Sequence, residues 1–179
     1  VRHPHSSGSR LPRNQGQGRE VSPRHKVRVM RFLPHPPHGK ARKAGTLIEN
    51  AQETVRYGFE SGYVNILFSK NTIGQTTVDQ LLSTFFLRAY FDAIIENPEK
   101  NINHLTAQLE NYHLDKSNSF FISDRAWTDI PIGNTLGLRT VWFQNGKFAH
   151  EKPRAKLEQP RYIINTISTF KNILQSKKD

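Results

Sequence analysis

The chain has 179 residues, with 26 Lys+Arg against 15 Asp+Glu, eight His and no Cys. That length suits one domain with a real core, and the missing cysteine excludes disulfides, thiolate–zinc centres and a cysteine nucleophile. No apolar run approaches the ~18 residues of a spanning helix, so no membrane partner is expected. A cytoplasmic location is expected, with organelle targeting as the alternative.

The charge is concentrated at one end. Residues 1–46 hold 11 Lys+Arg and one acid, Glu20, for a net of +10, against +1 for everything after them. The same stretch carries six of the ten Pro and five of the eight His. Such a composition buries too little apolar surface to offset chain entropy, so residues 1–44 are expected to be a disordered basic extension. Three roles are open to it: an arm that binds nucleic acid through phosphates, an Arg-rich targeting leader, or a solvated extension with no role. A single aromatic, Phe32, leaves no platform for base stacking.

From residue 45 to 179 the pattern alternates between helix and strand. Leu47, Ala51, Val55 and Phe59 recur every four residues, and Gly62 follows, which predicts an amphipathic helix over 46–61. A β-rich run over 63–68 comes next, ending in the polar turn Ser69-Lys70-Asn71. A helix is predicted over 77–87, a strand over 91–95 and a helix over 101–112. Ser119–Ile122 reads as a buried strand and Ala126–Leu136 as a helix stopped by Gly137. Strands over 139–143 and 162–164 and a helix over 168–174 complete the chain. Strands separated by helices of this length imply right-handed crossovers and an α/β, doubly wound parallel sheet. Ligands bind such sheets beyond the carboxyl ends of the strands, where Ser69 and Asp124 both fall.

The stretch Phe120-Phe-Ile-Ser-Asp-Arg-Ala-Trp-Thr-Asp-Ile130 carries the most chemistry. A buried strand delivers Asp124 to its end, and Asp129 follows five residues later. Two acids there suit a hard cation such as Mg²⁺, completed by water and phosphate. Equally, Thr128 and Asp129 suit the cap of the next helix, with Asp124 satisfying the turn. Ser69 at a strand end can donate to a phosphate oxygen, and Lys100 can offset its charge.

Taken in order, Ser69, Lys100 and Asp124–Ile130 with their flanking elements resemble the second half of a haloacid-dehalogenase-superfamily (HAD) phosphatase. The resemblance spans about residues 45–175. It implies a Rossmann-like core, phosphate binding by Ser69 and Lys100, and Mg²⁺ held by Asp124 and Asp129, while the cap domain usual in the family is absent from this sequence. The implied substrate is a small phosphorylated metabolite. The family's first motif, a strand ending in Asp-x-Asp, has no counterpart, since no Asp precedes Asp79. Lys100 is followed by Asn where Pro is common, and Ser123 stands where Gly is usual. The chain therefore reads as a partial phosphatase core without its nucleophile, of little or no turnover. The alternative is a non-catalytic phosphate- or polyanion-binding module using the basic extension. In the family the first strand lies mid-sheet, and Val27–Leu33 is the only segment of the extension with strand-forming content. It is expected to fill that gap, with Pro34–His38 standing where the acids would be.

Overall fold

The computed structural model describes residues 27–30, 47–69, 77–96 and 101–176. Its strands are β1 (Val27–Met30), β2 (Val64–Ser69), β3 (Ala93–Glu96), β4 (Phe120–Ser123), β5 (Arg139–Phe143) and β6 (Tyr162–Ile164). Its helices are α1 (Ala51–Glu60), α2 (Val78–Thr84), α3 (Ile102–Asn111), α4 (Ile130–Thr135) and α5 (Ile167–Gln175). The strands form one sheet in the order β3-β2-β1-β4-β5-β6, and every neighbouring pair is parallel. The chain winds outward from β1 to β3, then returns to place β4 on the other side of β1. The expected doubly wound α/β architecture is present, with its switch of winding between β1 and β4.

Successive strand residues face opposite sides, so β2, β3 and β4 each feed two cores. Leu67, Phe120, Ile122, Val141 and Phe143 pack with Val55 of α1, Leu82 of α2 and Phe170 of α5. On the other face Ile66, Phe68 and Phe121 pack with Leu105 and Leu109 of α3. A parallel sheet buried on both faces needs this continuous apolar character, and β2 is buried at all six positions.

The segment 27–30 fills the centre of the sheet, pairing Val29 with Ile66 on one side and Phe121 on the other. This is the place expected for it, since an open slot mid-sheet would leave ladder groups on β2 and β4 without partners. It also corrects the expected organisation, because the basic extension contributes a strand, and residue 45 does not separate it from the fold. Pro34–His38 lies outside the described residues.

Two helices start four or five residues later than the periodicity predicts. Leu47 and Ile48 do pack against the core, but Asn50 adopts a left-handed conformation (φ 61°), so α1 begins at Ala51. The segment expected to be helical from Ala126 forms turns instead, and α4 begins at Ile130 with Pro131 in its first turn. Proline is tolerated there because its missing N–H has no partner in a helix's first turn.

Gly133 of α4 lets that helix approach the sheet closely. A Cβ at this position would lie 2.7 Å from Thr140 Cγ2 and 2.9 Å from Phe121 Cδ1. Thr140 cannot turn away freely, because its hydroxyl donates to Asn134 Oδ1 at 2.8 Å and accepts from the Arg161 N–H at 3.0 Å. We expect Gly133→Ala to destabilise the fold by about 1–3 kcal/mol, the usual cost of overpacking. Thermal unfolding checks this, and Thr140→Ser, which removes the clashing methyl and keeps the hydroxyl, should recover part of the loss.

Candidate functional site

Strand register sets the site. Met30 pairs with both Leu67 and Ile122, and two residues beyond these stand Ser69 and Asp124. The two therefore lie level with each other on either side of the β1 line, about 10 Å apart at ~4.8 Å per strand. Ser69 is buried, and Asp124 is half-buried. Beside Ser69 in register stands Glu96 of β3, whose Oε1 accepts from the Val78 N–H at 3.1 Å and ties β3 to the start of α2. Lys100 lies outside the described residues.

Asp129 is 1% exposed and faces inward. Its Oδ2 accepts from the Ser123 hydroxyl at 2.6 Å and its Oδ1 from Thr128 Oγ1 at 2.9 Å. It occupies the position before the first turn of α4, yet its carboxylate makes no capping bond there. Instead it locks the end of β4 to the loop that follows. Ser123 Oγ also accepts from the Arg125 N–H at 3.2 Å, so this hydroxyl is built into the turn around Asp124. The Asp124 carbonyl in turn accepts from the Trp142 indole N–H at 3.3 Å.

A second carboxylate supports the same loop from the far side, and sequence reasoning did not single it out. Glu151 is 2% exposed and accepts from Arg125 Nε at 2.8 Å and from the Trp127 N–H at 3.0 Å. Its one sequence signal is position: it is one of two acids among five Lys+Arg over residues 144–161. An isolated acid amid cations is easily read as solvated surface charge, which is why it escaped notice.

Among the described residues no three His, Asp or Glu side chains gather as a metal cluster. The carboxylates just beyond the end of β4 are Asp124 and the hydroxyl-bonded Asp129. Mg²⁺ needs only one or two protein carboxylates when water and phosphate complete its octahedron. The donor set present thus fits a largely hydrated Mg²⁺ centred on Asp124, with Asp129 holding the loop. No helix among the described residues is long and apolar enough to cross a membrane.

Residues 99–170 match the family model of HAD-hydrolase-like proteins. No curated protein matches the sequence. Among solved structures, an uncharacterized protein from Listeria monocytogenes is 18% identical with a TM-score of 0.64, covering 87% of this chain and 98% of that one. A predicted phosphoglycolate phosphatase from Haemophilus somnus is 18% identical with a TM-score of 0.61, covering 73% of this chain and 58% of that one. The HAD-hydrolase YfnB from Bacillus subtilis, described as bound to magnesium, is 19% identical with a TM-score of 0.58, covering 72% of this chain and 56% of that one. The chain spans nearly the whole Listeria protein but little more than half of the other two. At these identities the likeness is one of fold. The family-model match, over residues 99–170, is a similarity to HAD-hydrolase-like proteins of the kind the motifs around Asp124 implied.

Proposed function

We propose that this HAD-like chain keeps the phosphate- and Mg²⁺-binding side of a phosphatase crevice and lacks the group that attacks phosphorus. The observation that carries this reading is the placement of Val27–Met30 in the central strand. In the family that strand ends in the nucleophilic aspartate, and here the residues after it are Arg31-Phe-Leu-Pro-His-Pro. The substrate class is a small phosphomonoester, which Ser69 would meet with its hydroxyl and Lys100 with its charge. Mg²⁺ would be held chiefly by Asp124. When bound, it would neutralise phosphate charge. Asp129 serves indirectly, by fixing Ser123 and the turn that presents Asp124.

Isothermal titration with Mg²⁺ tests this assignment. Weak binding is expected, abolished in Asp124→Asn and reduced several-fold in Asp129→Asn. Equal binding by the parent and Asp124→Asn would show the site to be misassigned. The net charge of +10 on residues 1–46 favours a second reading, a phosphate- or nucleic-acid-binding module without turnover. It shares the crevice and differs in making the extension the main contact.

A further inference from the structure

The long connection between β5 and β6 carries a charge unlike the rest of the domain. Residues 144–161 hold five Lys+Arg against two acids, a net of +3, whereas the remainder of 47–176 holds eight against eleven, a net of −3. Both acids in the connection are already engaged: Glu151 with Arg125, and Glu158 with Arg154, whose N–H it accepts at 2.7 Å. Lys147, Lys152 and Lys156 have no carboxylate partner among the described residues.

The cations here are interleaved with aromatic rings. The Arg125 guanidinium lies 3.9 Å over the centroid of Phe148, with Lys147 at 5.4 Å from the same ring. The Arg154 guanidinium lies 4.3 Å over Trp127, and His150 meets Trp127 edge-on. The arrangement is tethered rather than loose, since the Trp127 indole N–H donates to the Lys152 carbonyl at 2.8 Å and buried Glu151 clamps both Arg125 and Trp127. Arg125 and Trp127 follow Asp124 by one and three residues, so the platform adjoins the β4 side of the proposed crevice, across the β1 line from Ser69.

Lysines alone would serve any anion. Guanidinium groups stacked on rings do more, because a guanidinium held flat on one face offers its other face to a further planar group and its edges to phosphate. The Arg154 side chain is 68% exposed, so that outer face meets solvent. We infer that this platform takes the nucleoside part of a nucleoside phosphate, the base stacking on Arg154 over Trp127, and that inference rests on the crevice reading for where the phosphate lies. The source is either a free nucleotide or the phosphorylated end of a single strand, which share this chemistry.

The chain contains only two tryptophans, Trp127 and Trp142, so its indole N–H groups give two nitrogen-correlated NMR signals, assigned with Trp127→Phe. The full chain would be titrated at physiological salt with adenosine 5′-monophosphate, ribose 5-phosphate and a 5′-phosphorylated trinucleotide. Adenosine 5′-monophosphate is expected to shift the Trp127 signal and to bind about fivefold or more tighter than ribose 5-phosphate. Arg154→Gln, on an exposed side chain, should reduce that advantage and leave ribose 5-phosphate binding unchanged. A trinucleotide that binds tighter than the mononucleotide assigns the site to strand ends, and equal binding assigns it to free nucleotides. Equal affinity for adenosine 5′-monophosphate and ribose 5-phosphate, or an advantage that survives Arg154→Gln, would overturn the inference. A Trp127 shift with adenosine 5′-monophosphate but no ribose 5-phosphate binding supports the platform and overturns the crevice reading instead.

Discussion

The purified chain should hydrolyse phosphomonoesters no faster than background, and Asp124→Ala should leave that background where it was. Covalent phosphoryl transfer to an aspartate requires the carboxylate within reach of phosphorus, and the sequence holds no Asp before Asp79. Asp124 and Asp129 lie on the far side of the β1 line from Ser69, and Asp129 is buried against two hydroxyls. On the proposed reading, what remains is positioning and electrostatics, with water as the attacking group. Removing the members of a catalytic unit costs several decades of rate and leaves a residue due to binding. Several decades below a typical ~10 s⁻¹ is close to the detection limit. A phosphate-release assay across a panel of phosphomonoesters, with and without Mg²⁺, makes the comparison. Robust Mg²⁺-dependent hydrolysis that disappears in Asp124→Ala would mean that another residue attacks, and the proposed inactivity would be wrong.

The largest stability effect is expected at Glu151. Glu151→Ala removes a buried carboxylate and leaves both the Arg125 guanidinium and the Trp127 N–H without their acceptor. Breaking a fully buried pair costs about 3–5 kcal/mol. The Arg125 side chain is 25% exposed and can recover some hydration, so about 2–3 kcal/mol is the fitting expectation. For a domain of this size that lowers the melting temperature by about 5–10 °C. Glu151→Gln keeps one acceptor oxygen and one of the two bonds, so its loss should fall between parent and Glu151→Ala. A melting temperature unchanged in Glu151→Ala would show that the clamp adds nothing to the fold.

Much of the architecture was legible because each strand is short, apolar on both faces and bounded by polar turns. The runs 139–143 and 162–164 are observed with those bounds, and Val27–Leu33, whose residues 27–30 form β1, was identifiable as the strand-forming segment for the central slot. Helix starts were less legible, because they turn on local backbone events. A left-handed Asn50 and the turns before Pro131 delay α1 and α4 without altering the apolar spacing that predicts them. At the site, the level placement of Ser69 and Asp124 followed from strand ends, but the inward turn of Asp129 did not. That orientation depends on Ser123, whose hydroxyl reaches a carboxylate six residues away in sequence. Glu151 was hidden for a stronger reason: its partners lie 24 and 26 residues back, and no short-range pattern records such a contact.

The central strand also governs how the chain can reach this state. β1 separates β2 and β3 from β4, β5 and β6, so neither group completes its pairing until β1 is seated between them. Arg28 meets Phe120 across 92 positions of chain. Closing so long a loop carries an entropic cost that grows as about (3/2)RT ln n, and it must be met before the ladder bonds reward it. During synthesis the strand emerges early and waits for a partner made much later. Folding should therefore be slow for a domain of this length and set by non-local contacts rather than by its helices. While β1 waits, the edges of β2 and β4 that it will cover are open to pairing with other chains, which makes this interval the one most exposed to aggregation.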